Sequence, residues 1–344
     1  MAPSADEPGP IFIGGTGRSG TSVMGSLLDS HPQIVLPAHE NKLIVEAGGL
    51  KDLVDRLSGR FDMKRRHYAV ADFLRWARKL RSFGFRDPAL NAQVTALRTD
   101  KGMNFQQASE AVARANPAAD LSIHAIGQGF GLEHYDGCAN RFLRKVCGTV
   151  IEDGLVDTEG LIKPFIFPDI TGRDALLREC RVFLDELYAE PMRRAQASRW
   201  CDDTPSNWLY FDFLHELYPG MRFIHMIRDP RDVVGSYVKQ VWAPSDPRVV
   251  VAMFKAQFAA YEAIKRHVPS ANLKEVRMED ISSHKAETLG GIADFLGVEK
   301  RFNGDLFFNE RAHSGGYEES LGKPVVQLIE TELGGWMREH GYLA

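Results

Sequence analysis

The 344-residue chain is 44% hydrophobic and 26% charged, the balance of an ordinary soluble globular protein, which excludes the disordered and low-complexity classes. Its net charge of −4 supplies no general field for nucleic acid, so any anion site has to be local. Four cysteines without a C-x-x-C pair, Cys138, Cys147, Cys180 and Cys201, exclude a disulfide scaffold and read as reduced thiols of a cytoplasmic protein. The polar stretch Met1–Pro10 has no apolar signal core, and no run of about 18 apolar residues marks a membrane span.

In chain order, Pro10–Gly15 (PIFIGG) is a short buried strand that runs through TGRSGTS into a helical pattern at Val23, Met24, Leu27 and Leu28. His31-Pro32 ends that helix, because proline removes a donor and restricts the residue before it. Gln33–Leu36 is a second strand, with Pro37–Asn41 the loop at its carboxyl end. Residues from about 42 to 200 read as mostly helical. One amphipathic stretch puts Phe73, Trp76, Ala77, Leu80 and Phe83 on one face and Arg75, Arg78, Lys79 and Arg81 away from it. Another helix covers Asp174–Ser198. The strand–helix pattern returns at Arg199. Trp200–Asp202 is a strand end, Asn207–Tyr218 a helix stopped by Pro219-Gly220, and Met221–Ile227 a strongly apolar strand. Pro230 suits the first turn of a helix running to about Val241. Ser245 is placed to cap a helix over Asp246–His267. A strand at Leu273–Arg277, a helix near Lys285–Leu296, a Gly/Ser cluster at 314–316 and a last helix to about His340 complete the chain. The alternation predicts an α/β fold with a mainly parallel sheet flanked by helices.

Two stretches carry chemistry. Gly15-Thr16-Gly17-Arg18-Ser19-Gly20-Thr21-Ser22 has the spacing of the nucleotide P-loop, G-x-x-x-x-G-K-[ST], with Thr21 in the lysine position. Gly17 and Gly20 let the backbone turn so that several N–H groups converge on one anion. The following helix adds its positive dipole end, Arg18 a charge-assisted fork, and Ser19, Thr21 and Ser22 hydroxyl donors. Without the lysine, and without a metal clamp, the loop suits a phosphosulfate better than a nucleoside triphosphate. The second stretch, Ile227-Arg228-Asp229-Pro230-Arg231-Asp232, leaves an apolar strand and opens a helix that carries Ser236. Arg228 at a strand's carboxyl end, with Ser236, can clamp a separate phosphate. The bland alternative pairs Arg228 with Asp229 or Asp232 in a helix-start ion network.

Together these stretches resemble the PAPS-dependent sulfotransferase superfamily. RSGTS at 18–22 looks like its 5′-phosphosulfate loop, and RDPRDVVGS at 228–236 like its 3′-phosphate element. Residues 11–34 (IFIGGTGRSGTSVMGSLLDSHPQI) are similar to tyrosylprotein sulfotransferases and bacterial relatives, and NLKEVRMEDI at 272–281 resembles R-Y-E-D-L with Met278 in the tyrosine position. The resemblance implies a P-loop-type sheet in a single domain, with a core of about 10–45 and 199–344 and a helical insertion of about 46–198 on the acceptor side. It implies 3′-phosphoadenosine 5′-phosphosulfate (PAPS) as donor, PAP as product and no metal. Its donor roles fall on Arg18, Ser19, Gly20, Thr21 and Ser22 at the 5′ end and on Arg228 and Ser236 at the 3′ end. Two departures point away from protein tyrosine as acceptor. Cys201-Asp202-Asp203-Thr204-Pro205 has acids where the relatives carry a lysine, and Gln240 replaces a basic residue.

The expected acceptor is a small molecule or glycan offering a hydroxyl, less favourably an amine. Glu40, in the loop after the second strand, is the expected general base; His39 takes that place when the comparison with the relatives is ungapped, and Asp202 and Asp203 are further alternatives. Arg18 joins them as a catalytic group. Tyr317 and Trp242 are candidates for adenine or acceptor contact. His124 and His134, in a Gly-rich stretch, could line an acceptor pocket, though a packing role is the simpler reading. The basic run from Lys64 to Arg86 reads as a solvated face. The rival functions are a nucleotide kinase, which Thr21 argues against, and a non-catalytic nucleotide-binding relative.

Overall fold

The computed structural model describes residues 9–82, 84–85, 87–103, 105–119, 121–122, 125–156, 162–168, 170, 172–240, 242–303 and 315–344. Phe83, His124, Val241 and Ser314 therefore lie outside the described residues. The chain falls into two compact units: one formed by the segments ending at Asn41 and beginning at Met192, the other by Lys42–Pro191.

The chain opens with β1 (Ile11–Gly15), α1 (Thr21–Asp29) and β2 (Ile34–Val35). The second unit follows with α2 (Leu50–Ser58), α3 (Met63–Lys79), β3 (Gly84–Phe85), α4 (Pro88–Lys101) and α5 (Phe105–Ala115). It continues through β4 (Leu121–Ser122), α6 (Ile126–Phe130), α7 (Leu132–Val146), β5 (Thr149–Val156), β6 (Ile162–Phe167) and α8 (Arg173–Ala195). The first unit resumes with β7 (Arg199–Asp202), a 3-10 helix over Pro205–Tyr210, α9 (Phe211–Leu217), β8 (Arg222–Ile227), α10 (Pro230–Tyr237) and α11 (Pro247–Lys265). Last come β9 (Leu273–Arg277), α12 (Met278–Ser283), α13 (Lys285–Leu296), α14 (Tyr317–Ser320) and α15 (Lys323–Glu339).

In the first unit five strands form one sheet in the order β2-β7-β1-β8-β9, and every pairing is parallel. All of β1 and β7 is buried, as a parallel sheet covered on both faces requires, which is why β1 reads as an unbroken apolar run. Side chains alternate between faces. Ile11 and Ile13 pack with Met24, Leu27 and Leu28 of α1 and with Ile224 and Met226 of β8. Phe12 points the other way, edge-on to Trp200 at 5.5 Å. On that side His225 lies stacked on Trp208 at 5.3 Å and against Tyr261 at 4.3 Å.

The second unit is mainly helical. Phe73 of α3, Phe142 of α7 and Phe183 of α8 meet in one core, Phe142 and Phe183 stacking at 4.7 Å. Phe73, Ala77 and Leu80 are buried, and the partly buried Trp76 donates its Nε1–H to the Lys42 carbonyl. The unit also carries the antiparallel pairs β3–β4 and β5–β6, which the sequence reading left as helix. Two of the basic residues on α3 and just after it are paired, Arg75 with Asp72 and Arg81 with Asp136. His134 donates Nε2–H to the Glu186 and Leu187 carbonyls, a packing role.

Three further expectations change. Asp246, not Ser245, caps α11, because its carboxylate accepts from the Arg248 N–H. The segment expected as a helix from Asn207 opens as a 3-10 turn; Asn207 is held down by bonds from its Nδ2 to Ile13 O and Asp202 Oδ2. Helix α10 stops at Tyr237, short of Val241. No described helix is long and apolar enough to cross a membrane.

Candidate functional site

Parallel strands bring their carboxyl ends to one edge, where open α/β sheets take ligands. The segment after β1 is the Gly-rich loop. Ser19 is fully buried and closes the loop by donating from both its N–H and its hydroxyl to the Thr16 carbonyl, at 3.1 and 2.6 Å. Arg18 and Gly20 have φ of 71° and 98°. Gly20 is required by its left-handed backbone, and a Cβ there would also push aside the Met278 side chain, whose Sδ lies 2.5 Å away. Helix α1 then starts at Thr21 with no side-chain cap and no acid in its first turn, so its dipole end is left for an anion. Thr21 is buried and Ser22 exposed. The Gly17 backbone lies against the Tyr237 hydroxyl of α10, which a Cβ there would meet at 2.7 Å.

The second element meets the first. Arg228 donates from Nη1 to the Arg18 carbonyl at 3.2 Å, and Arg18 Nε donates to Ser236 Oγ at 3.0 Å. Arg228 stands 3.7 Å from Asp232, but that carboxylate is occupied by the N–H groups of Gly315 and Tyr317. Asp229 instead pairs with Arg231 at 2.6 Å while capping α10. Arg231 also holds Glu330 and the Tyr342 carbonyl and lies over the Tyr317 ring at 4.6 Å; these charged partners raise its pKa. Gln240 turns back to the Ser236 carbonyl. Trp242 is exposed and packs edge-on to Tyr237 at 5.1 Å.

The third element is the corner after β2, and carboxylates tether it. Asp29 Oδ1 accepts from the Leu36 N–H at 2.6 Å. Asp203, fully buried after β7, takes His39 Nδ1–H on one oxygen and the Glu40 N–H on the other, both at 2.6 Å. Asp202 accepts from the Asn41 N–H and from Thr204 and Asn207. Burial pushes Asp202 up to about 7, helped by the charge of Asp203 and opposed by its donors. The Asp203 hydrogen bond raises His39 above its ordinary 6.5, against the effect of partial burial. Glu40 adopts φ 53°, which lets consecutive residues reach one carboxylate. The Tyr237 hydroxyl lies against Gly17 of the Gly-rich loop, and burial raises its pKa.

The sequence model of the Sulfotransferase family matches residues 10–120 and 163–302, well over half of the chain. The chain belongs to the Sulfotransferase family. The matched segments include all three elements of the site. Nodulation protein NoeE of Sinorhizobium fredii is 32% identical over 74 residues, 22% of this chain and 17% of that protein, so the match spans a small part of that relative. Among solved structures, sulfotransferase STF9 from Mycobacterium avium is 13% identical with a TM-score of 0.46, over 97% of this chain and 76% of that one. Sulfotransferase STF1 from Mycobacterium tuberculosis H37Rv is 11% identical with a TM-score of 0.44, over 96% and 78%.

The chain thus has Gly17–Ser22, Arg228 and Ser236 in one connected group, and His39 and Glu40 together on Asp203 at the corner after β2. Tyr317 joins through Asp232 and Arg231. Tyr237 was not singled out in the sequence; Asp203 appeared there as an acid in place of a lysine and, with Asp202, as a further alternative for the base. Among the described residues no cluster of three or more His, Cys, Asp or Glu could hold a metal ion.

Proposed function

We propose that this chain transfers a sulfuryl group from PAPS to a hydroxyl, less favourably an amine, of a small-molecule or glycan acceptor. The observation that carries the reading is the Arg18–Ser236 hydrogen bond. It joins two anion-binding elements, each at the carboxyl end of a parallel strand, as a donor with two separate anionic ends requires. In this reading Gly17, Arg18, Ser19, Gly20, Thr21 and Ser22 hold the 5′-phosphosulfate, with Arg18 also offsetting charge on the transferring group. Arg228 and Ser236 hold the 3′-phosphate, and Tyr317 borders the adenine. The base comes from His39 or Glu40, and the second unit contributes to acceptor selection. Catalysis is then mostly positioning and charge stabilisation, as in phosphoryl transfer.

The test is calorimetry with adenosine 3′,5′-bisphosphate, ATP, and ATP with magnesium. Tight metal-independent binding of the bisphosphate alone supports the reading. Preference for ATP with magnesium would replace it with a kinase. Incubation of labelled PAPS with a metabolite mixture, followed by mass spectrometry for products heavier by one sulfuryl group, identifies the acceptor.

A further inference from the structure

We propose that Asp203 is a positioning residue that holds the His39 imidazole with Nε2 ready to take the acceptor's proton, and that Glu40 serves the same corner through its backbone. The inference rests on the sulfotransferase reading above and assigns the base within it.

The geometry starts with where Asp203 sits. Its side chain is fully buried at the end of β7, in a gap that exists because residue 25 of α1 is glycine; a Cβ there would lie 2.6 Å from Asp203 Oδ2. A carboxylate taken out of water needs partners. One oxygen goes to the His39 ring and the other to the Glu40 N–H, both at 2.6 Å. Glu40 is held in the left-handed region at φ 53°, a conformation costly for a non-glycine residue. A buried anion and a strained residue are thus both committed to one imidazole and its neighbour.

The consequence for the ring follows from hydrogen-bond chemistry. An ionised carboxylate only accepts, so Nδ1 must donate. In the neutral ring Nε2 is then the acceptor. Nε2 meets Ser26 Oγ of α1 at 3.4 Å, a bond that an incoming hydroxyl would displace, and the His39 side chain is 53% exposed. Asp203 is the nearest charge to the ring; Asp29 and Glu40 add to its effect, and Asp202 adjoins Asp203 in sequence.

In the transfer step the acceptor oxygen bonds to the sulfur of PAPS. The bond from that sulfur to the bridging oxygen breaks, and its electron pair leaves on the 5′-phosphate of PAP. The acceptor's proton passes to His39 Nε2, and Asp203 offsets the charge of the imidazolium that forms. Asp203→Asn would reverse the ring: its amide donates to Nδ1 and drives the ring proton onto Nε2, where it blocks proton acceptance.

The test is a nitrogen-15 NMR titration of the histidine rings, with His39→Gln assigning the His39 signals. In the wild-type chain His39 should titrate above its ordinary value and carry its neutral-form proton on Nδ1. In Asp203→Asn its pKa should fall and the proton should move to Nε2. With an acceptor from the screen above, Asp203→Asn and His39→Gln should lose about 10²–10⁴-fold in kcat, with PAP affinity retained. Glu40→Gln should lose less in kcat than His39→Gln, since the backbone bond to Asp203 survives. The acid limb of the kcat pH profile in Asp203→Asn should lie below that of the wild type. If Asp203→Asn does not fold, the wild-type tautomer and the Glu40→Gln rate still decide. A neutral wild-type ring protonated on Nε2, or a Glu40→Gln loss as large as that of His39→Gln, would overturn the proposal. PAP binding with an ordinary His39 titration sinks the dyad alone; absence of PAP binding sinks the donor reading and the dyad's role with it.

Discussion

Arg18 Nε donates to Ser236 Oγ at 3.0 Å, joining side chains 218 residues apart in sequence. Each is therefore satisfied by the other before any anion arrives, and the donor has to exchange this bond for its own. A hydrogen bond to a charged phosphate contributes about 1.5–3 kcal/mol, and the Arg18 bond given up offsets part of it, so Ser236→Ala should weaken PAP by about 2- to 12-fold in calorimetry. A loss beyond a hundredfold would mean that Ser236 also organises Arg18.

Arg228 should matter more. Charge-assisted bonds contribute about 1.5–3 kcal/mol, so Arg228→Ala should weaken PAP by roughly 10- to 150-fold. Adenosine 5′-phosphosulfate, which lacks the 3′-phosphate, should be nearly unaffected. Equal losses for both ligands would move Arg228 from the 3′-phosphate to a general structural role under the Arg18 carbonyl.

Gly25→Ala sets two effects against each other. Alanine favours a helix interior by about 1 kcal/mol over glycine. Its Cβ would meet Asp203 Oδ2 at 2.6 Å and Asp203 Cβ at 2.9 Å, and overpacking of this kind costs about 1–3 kcal/mol. Net destabilisation is expected, visible as a lower Tm, together with a changed His39 NMR signal. A raised Tm would mean that the Asp203 segment yields easily.

The His39–Asp203 pair makes stability pH-dependent in a defined direction. Asp203 raises the folded-state imidazole above 6.5. The stabilisation is therefore complete below the unfolded value and is lost as pH rises through the raised folded value. The ring is half exposed, so the effect stays below about 1 kcal/mol. The Tm gap between wild type and His39→Gln should be wider at about pH 5.5 than at about pH 8.5. A gap that widens with pH contradicts the assignment.

Arg231 braces the second anion element from behind. It pairs with Asp229 at 2.6 Å and with Glu330 at 2.8 Å, and its side chain is 13% exposed. Arg231→Gln leaves Asp229 short of its partner and should cost about 3 kcal/mol in urea denaturation. Arg231→Lys keeps the charge and loses the fork, so it should fall between. A Gln variant as stable as wild type would make this network a surface feature.

Much of the sheet was legible because parallel strands are apolar runs and their loops carry glycine. Residues 11–22 read correctly as strand, turn and helix for that reason. Pro230 marked the start of α10 through its fixed φ. The β5–β6 pair was not legible: Glu152, Asp153 and Gly154 interrupt the first strand's apolar run, and Pro164 sits within the second. The cap of α11 was misread by one residue, because Ser245 and Asp246 both qualify and only the Arg248 N–H distinguishes them. The His39–Asp203 contact could not be read at all. Its members are 164 residues apart, and the strand register that joins them, β2 against β7, leaves no mark in either segment.

The central strand has a consequence for the order of events in folding. β1 is flanked by β7 and β8, whose residues lie nearly two hundred positions downstream. Emerging from the ribosome, Ile11–Ile13 must wait for the whole of Lys42–Pro191 before either neighbour exists. Loop-closure entropy grows only with the logarithm of loop length, so the long intervening segment weighs lightly on final stability. It weighs on time instead: non-local parallel pairing is slow, and an uncovered apolar strand is exposed to aggregation meanwhile. The strand that leads into the anion-binding loop is thus made long before the two strands that sheathe it.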